Sequence, residues 1–160
     1  MALNGMDRKL LLAAELGRLD MVRELIASGA RVEAVAFFDR RPLHLAAGAG
    51  QVAVVEYLLE KGAEIDAADN DGWQPLHHAV EAEKAAVVEV LLDAGADPAA
   101  RAKAGITPLE LADDSPEILA LLKKWMAPDF LEKRRQAENV KAIREHWKRM
   151  GRFTPSCPRI

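Results

Sequence analysis

The chain has 160 residues, half of them apolar, a formal net charge of −3 and one cysteine, Cys157. That length supports one domain with a substantial core, while no run approaches the ~20 apolar residues of a membrane span and residues 1–12 lack the apolar stretch of a signal peptide. A lone cysteine excludes an internal disulfide framework and a cysteine-based zinc cluster, so a soluble, reducing, cytoplasmic setting is expected. Charge is divided unevenly: residues 1–127 hold 13 Lys/Arg against 21 Asp/Glu, whereas residues 128–160 hold 9 against 4. The acidic body argues against nucleic acid, whose binding needs clustered cations, and points instead to a protein partner, a basic one, drawn in by steering.

In chain order, the first unit places Leu10, Leu12 and Ala13 one period ahead of Leu43, Leu45 and Ala46, with Lys9 where later units have proline. The second carries Arg41-Pro42-Leu43-His44-Leu45-Ala46-Ala47, the third Gln74-Pro75-Leu76-His77-His78-Ala79-Val80 and the fourth Thr107-Pro108-Leu109-Glu110-Leu111-Ala112-Asp113, each 33 residues after the last. Pro opens a helix without loss because its first N–H groups have no intrahelical partner. Gly29, Gly62 and Gly95 follow each second helix, where a left-handed residue ends it. Between them, Val22, Leu25 and Ile26 recur as Val55, Leu58 and Leu59 and again as Val88, Leu91 and Leu92, the spacing of one helical face.

This period and these two motif lines resemble the ankyrin repeat, over four units spanning residues 6–126. The resemblance implies an all-α repeat solenoid, each unit a β-hairpin tip, a short inner helix, a longer outer helix and a loop. One helix pair cannot bury its own apolar stripe, so neighbours stack on it and terminal units differ to face water; Lys9 and Lys124 suit such capping units. Departures from the family pattern are informative. Threonine before the proline survives only at Thr107, so the turns at Arg41 and Gln74 are expected to be looser. His44 and His77 hold the family's structural histidine position and Glu110 replaces it. Glu81-Ala82-Glu83-Lys84 interrupts the usual glycine, and Ala34, Ala67 and Ala100 stand where the family often carries a modifiable Asn.

Binding residues in this family lie on the tips and on the exposed side of the inner helices. Carried over by phase, they are Phe37, Phe38 and Arg40, then Asn70, Asp71 and Trp73, then Lys103 and Ile106; on the inner helices they are Glu15, Leu16, Gly48, Ala49, Glu81, Ala82, Asp114 and Ser115. Phe37, Phe38, Trp73 and Ile106 fall on successive tips, and rings of this size bury roughly 150–250 Å² each. Together they would rival the largest apolar patch of an ordinary monomer. On this reading Trp73 is a surface anchor whose truncation spares the fold and costs binding. The competing reading is that these side chains fill space between hairpins.

Catalysis leaves little trace. His77 and His78 precede Glu81 and Glu83, but adjacent helical residues point about 100° apart and do not share a metal as an i, i+4 pair would. His78 reads as a hydrogen-bonded core histidine at a seam position, and no phosphate loop, nucleophile triad or HExxH motif is present. The expectation is a non-enzymatic interaction module without metal or cofactor, monomeric in isolation. An inhibitor or adaptor subunit that occludes an enzyme is the alternative. An engineered binder scaffold shares the architecture, although the unevenness of these repeats speaks against it.

Pro128 ends the last outer helix and divides the chain into residues 1–127 and 128–160. Asp129 can cap a further helix to about Met150, whose stripe of Phe130, Ala137, Val140, Ile143, Trp147 and Met150 lies among basic residues. Three uses of that helix compete: a cap on the fourth unit, a partner-binding helix and a membrane-surface helix. Cys157-Pro158-Arg159-Ile160 has the length of a prenylation box but lacks its aliphatic pair, so no lipidation is expected.

Overall fold

The computed structural model describes residues 4–127. The chain divides into two compact units, residues 1–123 and 124–160. The helix, cap and lipidation readings for residues 128–160 lie outside the described residues.

Helices alternate in two rows. The inner row is α1 (Gly5–Glu15), α3 (Pro42–Ala49), α5 (Pro75–Glu81) and α7 (Pro108–Leu111); the outer row is α2 (Leu19–Ala27), α4 (Val52–Glu60) and α6 (Ala85–Ala94), and α8 (Pro116–Met126) follows α7 in the chain. Consecutive inner helices touch one another, α2 touches α4, and α4 touches α6, so the stack is built from nearest neighbours. Pro42, Pro75 and Pro108 open their helices as expected. Gly29, Gly62 and Gly95 take left-handed φ values of 99°, 88° and 115° one or two residues past the outer helices. Of the expected seam, Val22, Val55, Leu58, Val88, Leu91 and Leu92 are fully buried, while Leu25, Ile26 and Leu59 are only partly so. Helix α7 is shorter than α3 and α5, with Ala112 as its C-cap.

The tips carry less ladder than a β-hairpin, and among the described residues none is in a strand. Each tip is closed by one bond of the same phase, from the N–H of Ala36, Asp69 and Ala102 to the carbonyls of Arg40, Trp73 and Ile106 (2.7, 2.9 and 2.9 Å). Single bonds then join tip to tip: Asn70 N–H donates to Phe38 C=O at 2.9 Å and Lys103 N–H to Asp71 C=O at 3.0 Å. This approach is why Gly72 is glycine, since a Cβ there would lie 2.8 Å from the Lys103 backbone nitrogen.

The turns expected to be loose at Arg41 and Gln74 are closed by another route. His44 Nδ1 accepts the Arg41 N–H (3.1 Å) and His77 Nδ1 the Gln74 N–H (3.2 Å), the same local bond that Glu110 makes to the Thr107 N–H. With Nδ1 accepting, the proton sits on Nε2. His44 Nε2 donates to the carbonyls of Ala67 (2.9 Å) and Trp73 (3.1 Å), and His77 Nε2 to that of Ile106 (3.3 Å). Each ring thus fastens its own unit to the next tip. Glu110 makes only the local half, accepting the Thr107 N–H at 2.7 Å. At the first junction the fastening is ionic: Asp7, fully buried, accepts from the Arg31 backbone N–H (2.9 Å) and Nε (2.8 Å). Burial alone would raise the Asp7 pKa, and these bonds more than offset it, holding the carboxyl below its usual range.

Glu83 sits at φ 55° where Gly50 and Gly17, one and two periods earlier, sit at 77° and 70°. A left-handed conformation costs a side-chain-bearing residue about 1–2 kcal/mol. Glu83→Gly is therefore expected to stabilise the chain by about 1 kcal/mol, a rise of a few degrees in a thermal melt. An unchanged or lower melting temperature would show that the turn carries no strain.

Candidate partner-binding groove

The tip of the second unit is the strained one. Phe38 and Asp39 both have positive φ, 62° and 56°. Two consecutive residues of this kind make a primed turn, normally built from Asn and Gly. The third and fourth tips place Gly72 and Gly105 at the position of Asp39, with φ of 77° and 81°. Strain of this kind, about 1–3 kcal/mol per residue, concentrates at functional sites. Its effect is to hold two large rings in water: Phe37 is 87% exposed and Phe38 67%.

These rings edge a groove of about 670 Å³ lined by Arg8, Leu11, Leu12 and Glu15 of α1, Val35, Ala36, Phe37, Phe38 and Arg40 of the tip, and Leu45 of α3. Its volume falls within the roughly 300–1,000 Å³ typical of ligand sites. Helix geometry explains the α1 side, because Arg8, Leu12 and Glu15 are spaced i, i+4, i+7 and share one face. Asn4 starts that helix by accepting the Asp7 N–H at 2.7 Å. Leu12 and Val35 are exposed as well, at 55% and 42%. The result is an apolar floor with two guanidinium groups and one carboxylate around it.

Beside the groove lies a buried polar network. Asp69, almost fully buried, accepts the Asp71 and Trp73 N–H groups on Oδ1 (both 2.9 Å) and His78 Nε2 on Oδ2 (2.9 Å). Burial alone would raise Asp69, and the bonds from His78 and the two backbone groups outweigh it, so the carboxyl stays below its usual range. Burial lowers His78 as well, with Arg40 nearby acting in the same direction. Arg40 Nε stands 3.8 Å from Asp69 Oδ2 and has no hydrogen-bond acceptor among the described residues. The nearer donor on Asp69 Oδ2 is His78 Nε2.

The expected four-residue row is divided by the fold. Phe37 and Phe38 stand in solvent, while Trp73 and Ile106 are partly buried. Trp73 lies over the histidines, its ring 5.2 Å from that of His78 and 6.0 Å from that of His77. Ile106 contributes its carbonyl to His77. One period before Trp73 stands Arg40, which covers no such pair and leaves the groove open. Asn70, Asp71 and Lys103 are exposed on the third and fourth tips, with Lys103 Nζ donating to the Asn70 carbonyl at 2.7 Å. Glu81 ends α5 and Asp114 follows α7; both are exposed, and neither lines the groove.

Phase reasoning missed Arg8, Leu11, Leu12, Val35 and Leu45, and it missed Asp69. The signal for Asp69 was present: alanine occupies its phase at Ala36 and Ala102, and leucine occupies the phase of His78 at Leu45 and Leu111. Two polar departures in one unit pair with each other. Among the described residues, no group of three or more His, Cys, Asp and Glu is placed to hold a metal, and no helix is long and apolar enough to cross a membrane.

A family model for ankyrin repeats matches residues 10–102 in three copies. Helices α7 and α8 continue the same phase beyond the matched span. No curated protein shows significant sequence similarity to the chain.

Proposed function

The chain belongs to the ankyrin-repeat family, and from that premise we propose that it is a non-enzymatic interaction module that binds a protein partner in the groove between α1 and the second tip. Ankyrin repeats are in general protein-interaction modules. The observation that carries the assignment to this groove is the pair Phe37 and Phe38, held in solvent on a strained turn beside exposed Leu12 and Val35. A fold gains nothing from two exposed rings in a strained conformation, whereas an interface gains the area they bury. The groove is lined by apolar side chains, two arginines and a glutamate, and the histidines beside it are engaged in holding units together. Action in a reducing cytoplasm, as a monomer that occupies or occludes its partner, follows as the working picture.

Affinity capture from the native cell with wild type and a Phe37→Ala/Phe38→Ala variant in parallel tests the assignment. A partner retained by wild type and lost by the variant is the expected outcome. Equal capture by both would place the binding surface elsewhere. Addition of the captured chain to the enzyme assay of its partner separates occlusion, which changes turnover, from scaffolding, which does not.

A further inference from the structure

We propose that the groove takes an acidic, apolar segment of the partner, its carboxylates meeting Arg8 and Arg40 and its apolar side chains lying on Leu12, Phe37 and Phe38. This rests on the assignment of the groove as the binding site and adds the chemistry of what fills it. Residues 1–127 are acidic as a whole, yet the groove is edged by two arginines and one glutamate. Among the described residues, one of these cations is unpaired and the other is held only by a long ion pair. Arg8 is exposed and has no ion pair among the described residues. Arg40 Nε stands 3.8 Å from Asp69 Oδ2 without a hydrogen bond to it, and the Arg40 side chain is 42% exposed. A guanidinium in this state is matched by an incoming carboxylate, which it engages with two parallel bonds.

The acidic remainder of the body opposes this choice weakly. Exposed charges more than about 8 Å apart are largely screened at physiological ionic strength, whereas a contact pair beside an apolar floor is screened far less. Glu15 gives the segment a direction. It lies two turns from Arg8, about 10 Å along α1 at 1.5 Å per residue, and suits a donor at the opposite end from the acid.

The test is selection of a random twelve-residue peptide library on the full chain, followed by affinity measurement of individual winners against variants. Enriched peptides should combine Asp or Glu with Trp, Phe or Leu. Phe37→Ala/Phe38→Ala should abolish their binding, and Arg8→Gln and Arg40→Gln should each weaken it about tenfold or more, with affinity falling as salt is raised. Melting curves run beside the affinities identify any loss due to unfolding. Because Arg8 is a surface residue, its variant decides the matter even if Arg40→Gln is destabilised. Winners that are neutral or basic, or that ignore both arginine changes while needing the phenylalanines, overturn the acidic assignment and leave the groove as the site. Absence of any phenylalanine-dependent winner overturns both. Phenylalanine-dependent sedimentation with phosphatidylserine vesicles would make the surface a lipid site and overturn the proposal as well.

Discussion

Acidification from pH 7 to pH 4 is expected to remove about 3 kcal/mol of folding stability through His44 alone, since one pKa unit is worth 1.36 kcal/mol. Burial lowers the His44 pKa from 6.5 to about 4 in the folded chain. A group whose folded pKa is depressed leaves stability intact above its unfolded value and takes it away as pH falls through the folded one. Loss therefore begins near pH 6.5 and is nearly complete near pH 4. His77 and His78, also lowered chiefly by burial, add to the same limb. Asp7, Asp69 and Glu110 are depressed as well, but they withdraw stability only below the ordinary carboxylate range, about pH 4. The two sets separate along the pH axis. Thermal melts from pH 8 to 4 should be flat to about pH 6.5 and then fall steeply. A melting temperature unchanged at pH 4.5 would show that these rings do not hold the units together as neutral groups.

Trp73→Ala is expected to destabilise the chain by about 3 kcal/mol, the lower end for truncation of a packed aromatic. The ring lies tilted against both His77 and His78, so its removal is expected to open two buried imidazoles and the Asp69–His78 bond to water. Hydrated histidine titrates closer to its ordinary value, so the acid limb should become shallower and end at a higher pH, with its onset unchanged. That result would count against the reading of Trp73 as a surface anchor. Loss of binding in Trp73→Ala would not by itself locate the partner site, because the fold is weakened too. A variant that melts with wild type would return Trp73 to the binding surface.

Much of the architecture is legible in the chain because each repeat states it again. Proline marks the start of three inner helices, glycine follows the end of three outer ones, and the valine and leucine seam recurs without a slip. The junction chemistry is half legible: His44 and His77 can be placed by phase, but the carbonyls they reach belong to the next tip, 23 to 29 residues away. Exposure at the tips resists such reading. Phe38 and Trp73 are both aromatic tip residues in sequence, and what separates them is whether a histidine pair lies beneath. Leu12 looks like its counterpart Leu45, yet it is exposed while Leu45 is only partly so. Groove residues from α1 and the following tip become neighbours only when two units stack, a relation that no single line of the repeat contains.

The central claim, that Phe37 and Phe38 form a binding surface and not a part of the core, is tested most directly by separating stability from affinity in Phe37→Ala/Phe38→Ala. Both rings stand mostly in water, so each truncation should change folding stability by no more than about 0.5 kcal/mol. A hot-spot aromatic contributes ~2 kcal/mol or more to binding, which is roughly thirtyfold in affinity when 1.4 kcal/mol is tenfold. Calorimetry of the variant against the captured partner should show that loss at an unchanged melting temperature. Wild-type affinity in a fully folded variant would contradict the account.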